Sequence, residues 1–294
     1  DRSILVAGAM SVALLSGIAQ SATLHDRIGA YVRPYASSGN FSGSILVVQS
    51  GKTLFQGSYG FSDVGQQTPN RADTKFHIAS LSMQFTAAAA MRLVEQGKLS
   101  LDTKVGDVVA DVPNGEKITI RQLASHTSVI IDNPAVYLNT YKFYPDIRPY
   151  DKEVLDALQS IGYRQTIPDR SLKEFFYNYL SEKGKYYSPG NFGKGSPGST
   201  SSYSNIGSAL VAYLIEIKAG IPYADFVKKF ILSPLKMKNS TFFISNTNLK
   251  KHASLYYKDD LVFPLYDLVT YPDGGLKTSA GDLAKYVCGL INGY

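Results

Sequence analysis

Apolar positions along the chain change period several times, and each change marks an element. Phe85, Ala88, Ala89, Leu93 and Val94 recur at helical spacing, and Gly97 ends that run. A denser apolar stretch, Ile206 to Ala219, predicts a second strong helix closed by Gly220, and another helix spans about Tyr223 to Ile231, halted before Pro234. Helices are also predicted over Leu24–Tyr35, Lys152–Ile161, Leu172–Leu180 and Ala280–Asn292, the last opening after Thr278-Ser279 as a cap. The runs Ser42–Gln49 and Thr53–Tyr59 flank Ser50-Gly51-Lys52 and read as a β-hairpin. Ile118–Ala124 reads as a short strand or turn entering a helix, and Ser240–Ile244 as a strand. Residues 129–202 are rich in Tyr, Pro and Gly, and 188–202 form a Gly/Ser-rich loop. β-rich sequence therefore flanks a long helical stretch, which predicts an α/β body with a helical region inserted in it.

Composition narrows the functional classes. The 294 residues can bury a large core, and nothing in their composition indicates disorder or a fibrous repeat. Thirty basic and 24 acidic residues leave a net charge of +6, but the lysines fall in scattered pairs rather than a stripe, which argues against nucleic acid as a partner. No pair among His25, His77, His126 and His252 has metal-ligand spacing, so neither a metal nor any other cofactor is expected. The single cysteine, Cys288, lies in an apolar stretch and is expected in the core. Arg2 followed by the apolar run Ile4–Ala19 and the small residues Ala19-Gln20-Ser21-Ala22 reads as a signal peptide over 1–22, with a retained N-terminal anchor as the alternative. The expected location is periplasmic or secreted, with no stable membrane span after cleavage.

Ser80 follows the extended run Phe76-His77-Ile78-Ala79 and opens the Phe85 helix. A serine there is commonly a helix cap. The same place suits a nucleophilic oxygen, because helix N-terminal amides favour negative charge. Its surroundings favour the second reading. The segment Thr74-Lys-Phe-His-Ile-Ala-Ser80-Leu-Ser-Met83-Gln-Phe-Thr-Ala resembles the active-site segment of class C β-lactamases, D,D-peptidases and related esterases. Similar segments follow in order. They are Phe41–Val47, Gly97–Asp102, Ile118–Leu123 with Ser125–Ser128, Pro197-Gly198 leading to Tyr203-Ser204-Asn205, Pro234–Thr241, and Gly274–Ser279 with Asp282–Ala284.

The resemblance implies a β-lactamase/transpeptidase-like fold, with an antiparallel sheet flanked by helices in a body of about 23–80 and 232–294, and a mainly helical region of about 81–231. It implies an acyl-enzyme on Ser80, a proton shuttle at Tyr203, and a substrate-amide contact from Asn205. The expected partners are small-molecule or peptide substrates: D-Ala-terminated peptides, β-lactams or esters. The Tyr-rich stretch from Tyr137 to Tyr187 is expected to shape the cleft.

Three departures qualify this picture. Met83 occupies the position of the family's lysine, one helical turn from Ser80, and cannot accept a proton. This predicts impaired acylation; the alternative is a non-catalytic binding protein using the same cleft. Val129 stands where Ser125–Ser128 is usually followed by a small residue, and is strained if the backbone there needs positive φ. The family's third motif has no clear counterpart. Lys277-Thr278-Ser279 is a tempting substitute, but its flanks match an earlier segment, so the last strands are expected to be missing from the C-terminus.

Overall fold

The computed structural model describes residues 23–164, 171–244, 246–257 and 261–293. The expected signal peptide lies outside them. Thr23 caps helix α1 (Leu24–Ser37) by a reciprocal capping box with Asp26. Strands β1 (Gly43–Gln49) and β2 (Lys52–Tyr59) form the predicted hairpin. Ser50 and Gly51, at φ 50° and 70°, supply the two left-handed residues that a tight turn of matching twist requires. The hairpin packs against α1 and against the closing helix, α9 (Ala280–Ile291). Between these lie β3 (Phe61–Asp63), β4 (Thr68–Pro69) and β5 (Lys75–His77).

Helix α2 (Ser82–Glu95) follows a single 3₁₀ turn, Ala79–Leu81. Its apolar side, Phe85, Ala89, Ala90 and Leu93, is buried, and Gly97 at φ 67° ends it as predicted. The next elements are α3 (Ile120–Ala124), α4 (Pro134–Tyr137), β6 (Tyr141–Phe143), α5 (Lys152–Ser160) and α6 (Leu172–Leu180). Helix α7 (Asn205–Ala219) is buried from Ile206 through Ile215, so it is apolar on all sides and forms the axis of the core. Helices α2, α3, α6 and α8 (Tyr223–Val227) surround it. The predicted Tyr223–Ile231 helix loosens into a π turn over Lys228–Leu232.

The remaining strands are β7 (Leu255–Tyr257), β8 (Leu261–Phe263), β9 (Tyr266–Leu268) and β10 (Lys277–Ser279). Among the described residues they make antiparallel pairs, β5 with β10, β6 with β9 and β7 with β8. The fold is α/β, built from helices and small antiparallel sheets.

Two expectations need correction. Ser240–Ile244 is not a strand; only Thr241 bridges Lys277. Carboxylates take backbone donors that a ladder would use: Asp282 accepts from the Asn239 N–H, and Asp267 accepts from the Ile244 N–H. Cys288 is half-buried rather than in the core, on the outer part of α9. Val129 has the suspected left-handed backbone, at φ 63°, and its side chain is buried. A β-branched residue there is strained by about 1–2 kcal/mol.

Candidate active site

The segment that carries Ser80 is held from behind. Ser82 is fully buried; its Oγ donates to the Ala79 carbonyl at 2.7 Å and accepts from the Leu276 N–H at 3.0 Å. The Ile78 N–H donates to the Leu276 carbonyl at 3.1 Å. These bonds fasten the Ala79–Leu81 turn to the strand entering from Gly275. Ala79 adopts φ 46°, a left-handed conformation that costs an alanine about 1 kcal/mol or more. The chain turns sharply there and leaves Ser80 exposed at the start of α2. Gly275 is required nearby, because a Cβ would come 2.8 Å from the Tyr271 carbonyl that its own N–H bonds.

Tyr203 reaches the same place from the other side. Its hydroxyl lies 3.6 Å from the Met83 sulfur, one turn along α2 from Ser80. The ring is half-exposed and rests on the His126 imidazole with centroids 4.6 Å apart. His126 Nδ1 accepts the Ser204 N–H at 3.2 Å, and its carbonyl accepts the Ser202 N–H at 2.8 Å. Imidazole and backbone together therefore fix the segment that carries Tyr203.

Asn205 begins α7, and Asp132 organises that helix end. Asp132 accepts from Ser204 Oγ (3.2 Å), Asn205 N (3.0 Å), Asn205 Nδ2 (2.7 Å) and Ile206 N (2.9 Å). A carboxylate at a helix N-terminus satisfies orphan amides and favours the dipole. It also orients the Asn205 side-chain amide, whose Nδ2 donates to it. Sequence reading missed Asp132, because the helix it caps is distant in the chain and no local pattern links the two. Replacing Asp132 with Ala should cost roughly 2–4 kcal/mol by orphaning several donors together. Urea unfolding would measure this, and a loss below about 0.5 kcal/mol would rule out the capping role.

Lys277 does not line the cleft. Its ammonium is fully buried and pairs with Asp267 and with the Phe242 carbonyl. The stretch Lys277–Ser279 is β10, paired with the strand that leads to Ser80. The sequence-predicted residues Ser80, Met83 and Tyr203 gather at the head of α2, and Asn205 stands at the neighbouring helix start. In the stretch expected to shape the cleft, Tyr141 packs against Tyr137, Tyr163 and Phe143, and also against Tyr266. Among the described residues, no group of carboxylates, histidines or cysteine could hold a metal ion.

Known proteins resemble this chain in sequence and fold. A family model described as Beta-lactamase matches residues 28–293. Penicillin-binding protein 4* of Bacillus subtilis (strain 168) is 27% identical over 226 residues, 77% of this chain and 43% of that protein. Protein flp of Staphylococcus aureus (strain MW2) is 28% identical over 260 residues, 85% of this chain and 45% of that protein. The chain thus spans less than half the length of these curated relatives. Among solved structures, an octameric penicillin-binding protein homologue from Pyrococcus abyssi superposes with a TM-score of 0.67 at 28% identity, over 90% of this chain and 56% of that one. A class C β-lactamase superposes with a TM-score of 0.63 at 24% identity, over 89% of this chain and 63% of that one, a likeness of fold. With nearly the whole described chain matched by one family model, and its fold shared with these proteins, the chain belongs to the β-lactamase family.

Proposed function

We propose that the protein is a serine hydrolase that forms an acyl-enzyme on Ser80 and acts slowly, because Met83 stands in place of a base. The observation that carries this reading is the contact between the Tyr203 hydroxyl and the Met83 sulfur, one helical turn from an exposed Ser80. Ser80 Oγ attacks an amide or ester carbonyl carbon, and the carbonyl oxygen takes the charge near the α2 N-terminus. Tyr203 gives its proton to the departing amine or alkoxide and receives the Ser80 proton, so the relay returns to its starting state. Water then attacks the Ser80 ester and releases the acid. Asn205, steadied by Asp132, binds the substrate amide. Met83 has no positive charge to ease phenolate character on Tyr203, which raises the barrier to the first step. Substrates are small amides, esters, D-Ala-terminated peptides or β-lactams, and the protein works in the periplasm or outside the cell.

Intact-protein mass spectrometry after incubation with a fluorophosphonate tests this reading. Ser80 displaces fluoride from phosphorus, and the expected result is slow gain of one adduct, absent in Ser80→Ala. A protein that is thermally stabilised by penicillin yet gains no covalent mass from either reagent would instead be a binding protein.

A further inference from the structure

Lysines that are scattered in the sequence converge in the fold. Lys228, Lys236 and Lys238 line one cavity of about 560 Å³, between α8 with its π turn and residues 240–243. All three residues are exposed. Among the described residues none of these ammoniums has an ion-pair partner, whereas Lys152, Lys251, Lys277 and Lys285 each pair with a carboxylate. Asp225 is the acidic residue among those lining the cavity. Three ammoniums and one carboxylate leave two positive charges around it. The cavity shares no lining residue with the elements that carry Ser80, Met83, Tyr203 and Asn205.

The wall that carries Lys236 is fixed by its backbone. Lys236 has a left-handed conformation, φ 56°, at the end of the π turn, where glycine is the usual residue. Its N–H donates to the Ser233 carbonyl at 3.0 Å, and the Met237 N–H donates to the Leu232 carbonyl at 2.8 Å. Its own carbonyl accepts the Lys238 N–H at 3.0 Å and the Lys285 ammonium at 2.7 Å. Lysine carries a strain here that glycine would not, and what it adds is an ammonium at the cavity. The rest of the lining is apolar and preformed. Leu232, Met237 and Phe242 are buried, and Phe243 is half-buried. The Phe242 ring packs on Tyr223 and Tyr271, with centroids 5.5 and 5.3 Å away, and its carbonyl accepts the buried Lys277 ammonium at 2.8 Å.

We propose that this cavity binds a phosphate monoester with an aromatic body. Such a phosphate carries a charge of about −2 and three acceptor oxygens at neutral pH. That charge equals the uncompensated charge around the cavity, and the oxygens match its three ammoniums in number. A carboxylate brings a single charge and two oxygens. Lysine ammoniums serve phosphate as point charges. The aromatic body covers Met237 and the phenyl rings, removing apolar surface from water. The volume lies within the ~300–1,000 Å³ of small-molecule sites.

Calorimetric titration at low ionic strength with naphthyl phosphate, naphthol and inorganic phosphate tests the site. The ester should bind the parent more tightly than either of its parts. Lys236→Gly keeps the backbone and relieves its strain, so it should melt no lower than the parent while binding the ester at least about tenfold more weakly, the loss expected of a charge-assisted contact. Adding Lys228→Ala should weaken binding further. The control pair Lys52→Ala, Lys104→Ala removes the same net charge at exposed positions outside the cavity and should keep the parent's affinity. No binding by the parent, or an unchanged affinity in the Lys228→Ala, Lys236→Gly protein, would overturn the site. An equal loss in the control pair would do the same, since it would show attraction by the overall charge alone. Naphthol binding as tightly as its phosphate would leave no role for the lysines, and inorganic phosphate binding as tightly as the ester would leave none for the apolar lining; either result overturns the proposal.

Discussion

Met83→Lys raises the rate of Ser80 acylation by ~10²–10⁴-fold, the usual contribution of a positioned general base. The site is otherwise prepared for that change. Position 83 is one turn from Ser80 on α2, its side chain already reaches the Tyr203 hydroxyl, and methionine and lysine are similar in length. An ammonium there would lie beside a phenol whose deprotonated form it stabilises. Met83 is only partly buried, so the added charge keeps some contact with water. Single-turnover acylation by a penicillin or an activated ester measures the effect. Met83→Leu serves as the control, since it alters shape without adding charge and should not accelerate the reaction. An unchanged rate in Met83→Lys would mean that the defect lies elsewhere in the site.

The legible parts of this protein were those written in local pattern. The hairpin around Ser50-Gly51 and the helices ended by Gly97 and Gly220 are dictated within a few residues by turn chemistry and apolar spacing. Ser80, Tyr203 and Asn205 were legible only as members of an ordered set of segments, because each taken alone is an ordinary cap or surface residue. The supports of the site were not legible. Asp132, Ser82 and His126 act through hydrogen bonds to residues far along the chain, and no spacing rule reports such bonds. The failed strand at Ser240–Ile244 has the same cause. Its composition is strand-like, but Asp267 and Asp282 arrive from elsewhere and take its donors.

Lowering the pH should destabilise the protein through His77 and His252, whose ring nitrogens are buried behind Ser80. His77 ends β5, three residues before Ser80, and lies against the Tyr266 ring at 4.8 Å. His252 bridges Lys75 on the same strand, and all four ring nitrogens of the pair are buried without partners. Burial, then the Lys277 charge and the neighbouring His252, holds His77 well below the ordinary histidine value. Burial, followed by Lys75, Lys277 and Arg148, holds His252 at about 3, with Asp267 alone opposing. The unfolded chain therefore binds protons on these rings in a pH range where the folded chain does not. Their contribution is fully present above the unfolded value of 6.5 and is lost as pH falls toward the folded value near 3. At pH 5 the loss from His252 alone is about 2 kcal/mol, and His77 adds to it. Urea unfolding at pH 7.5 and pH 5 measures this. The double variant His77→Phe, His252→Leu removes rings that make no hydrogen bonds, so it should fold at neutral pH and lose much of its stability difference between the two pH values. A double variant as acid-sensitive as the parent would assign the effect to other groups. Because β5 runs directly into the Ala79–Leu81 turn and is pinned by β10, charging these rings loosens the strand that presents Ser80. Fluorophosphonate labelling should therefore fall along with stability as the pH is lowered.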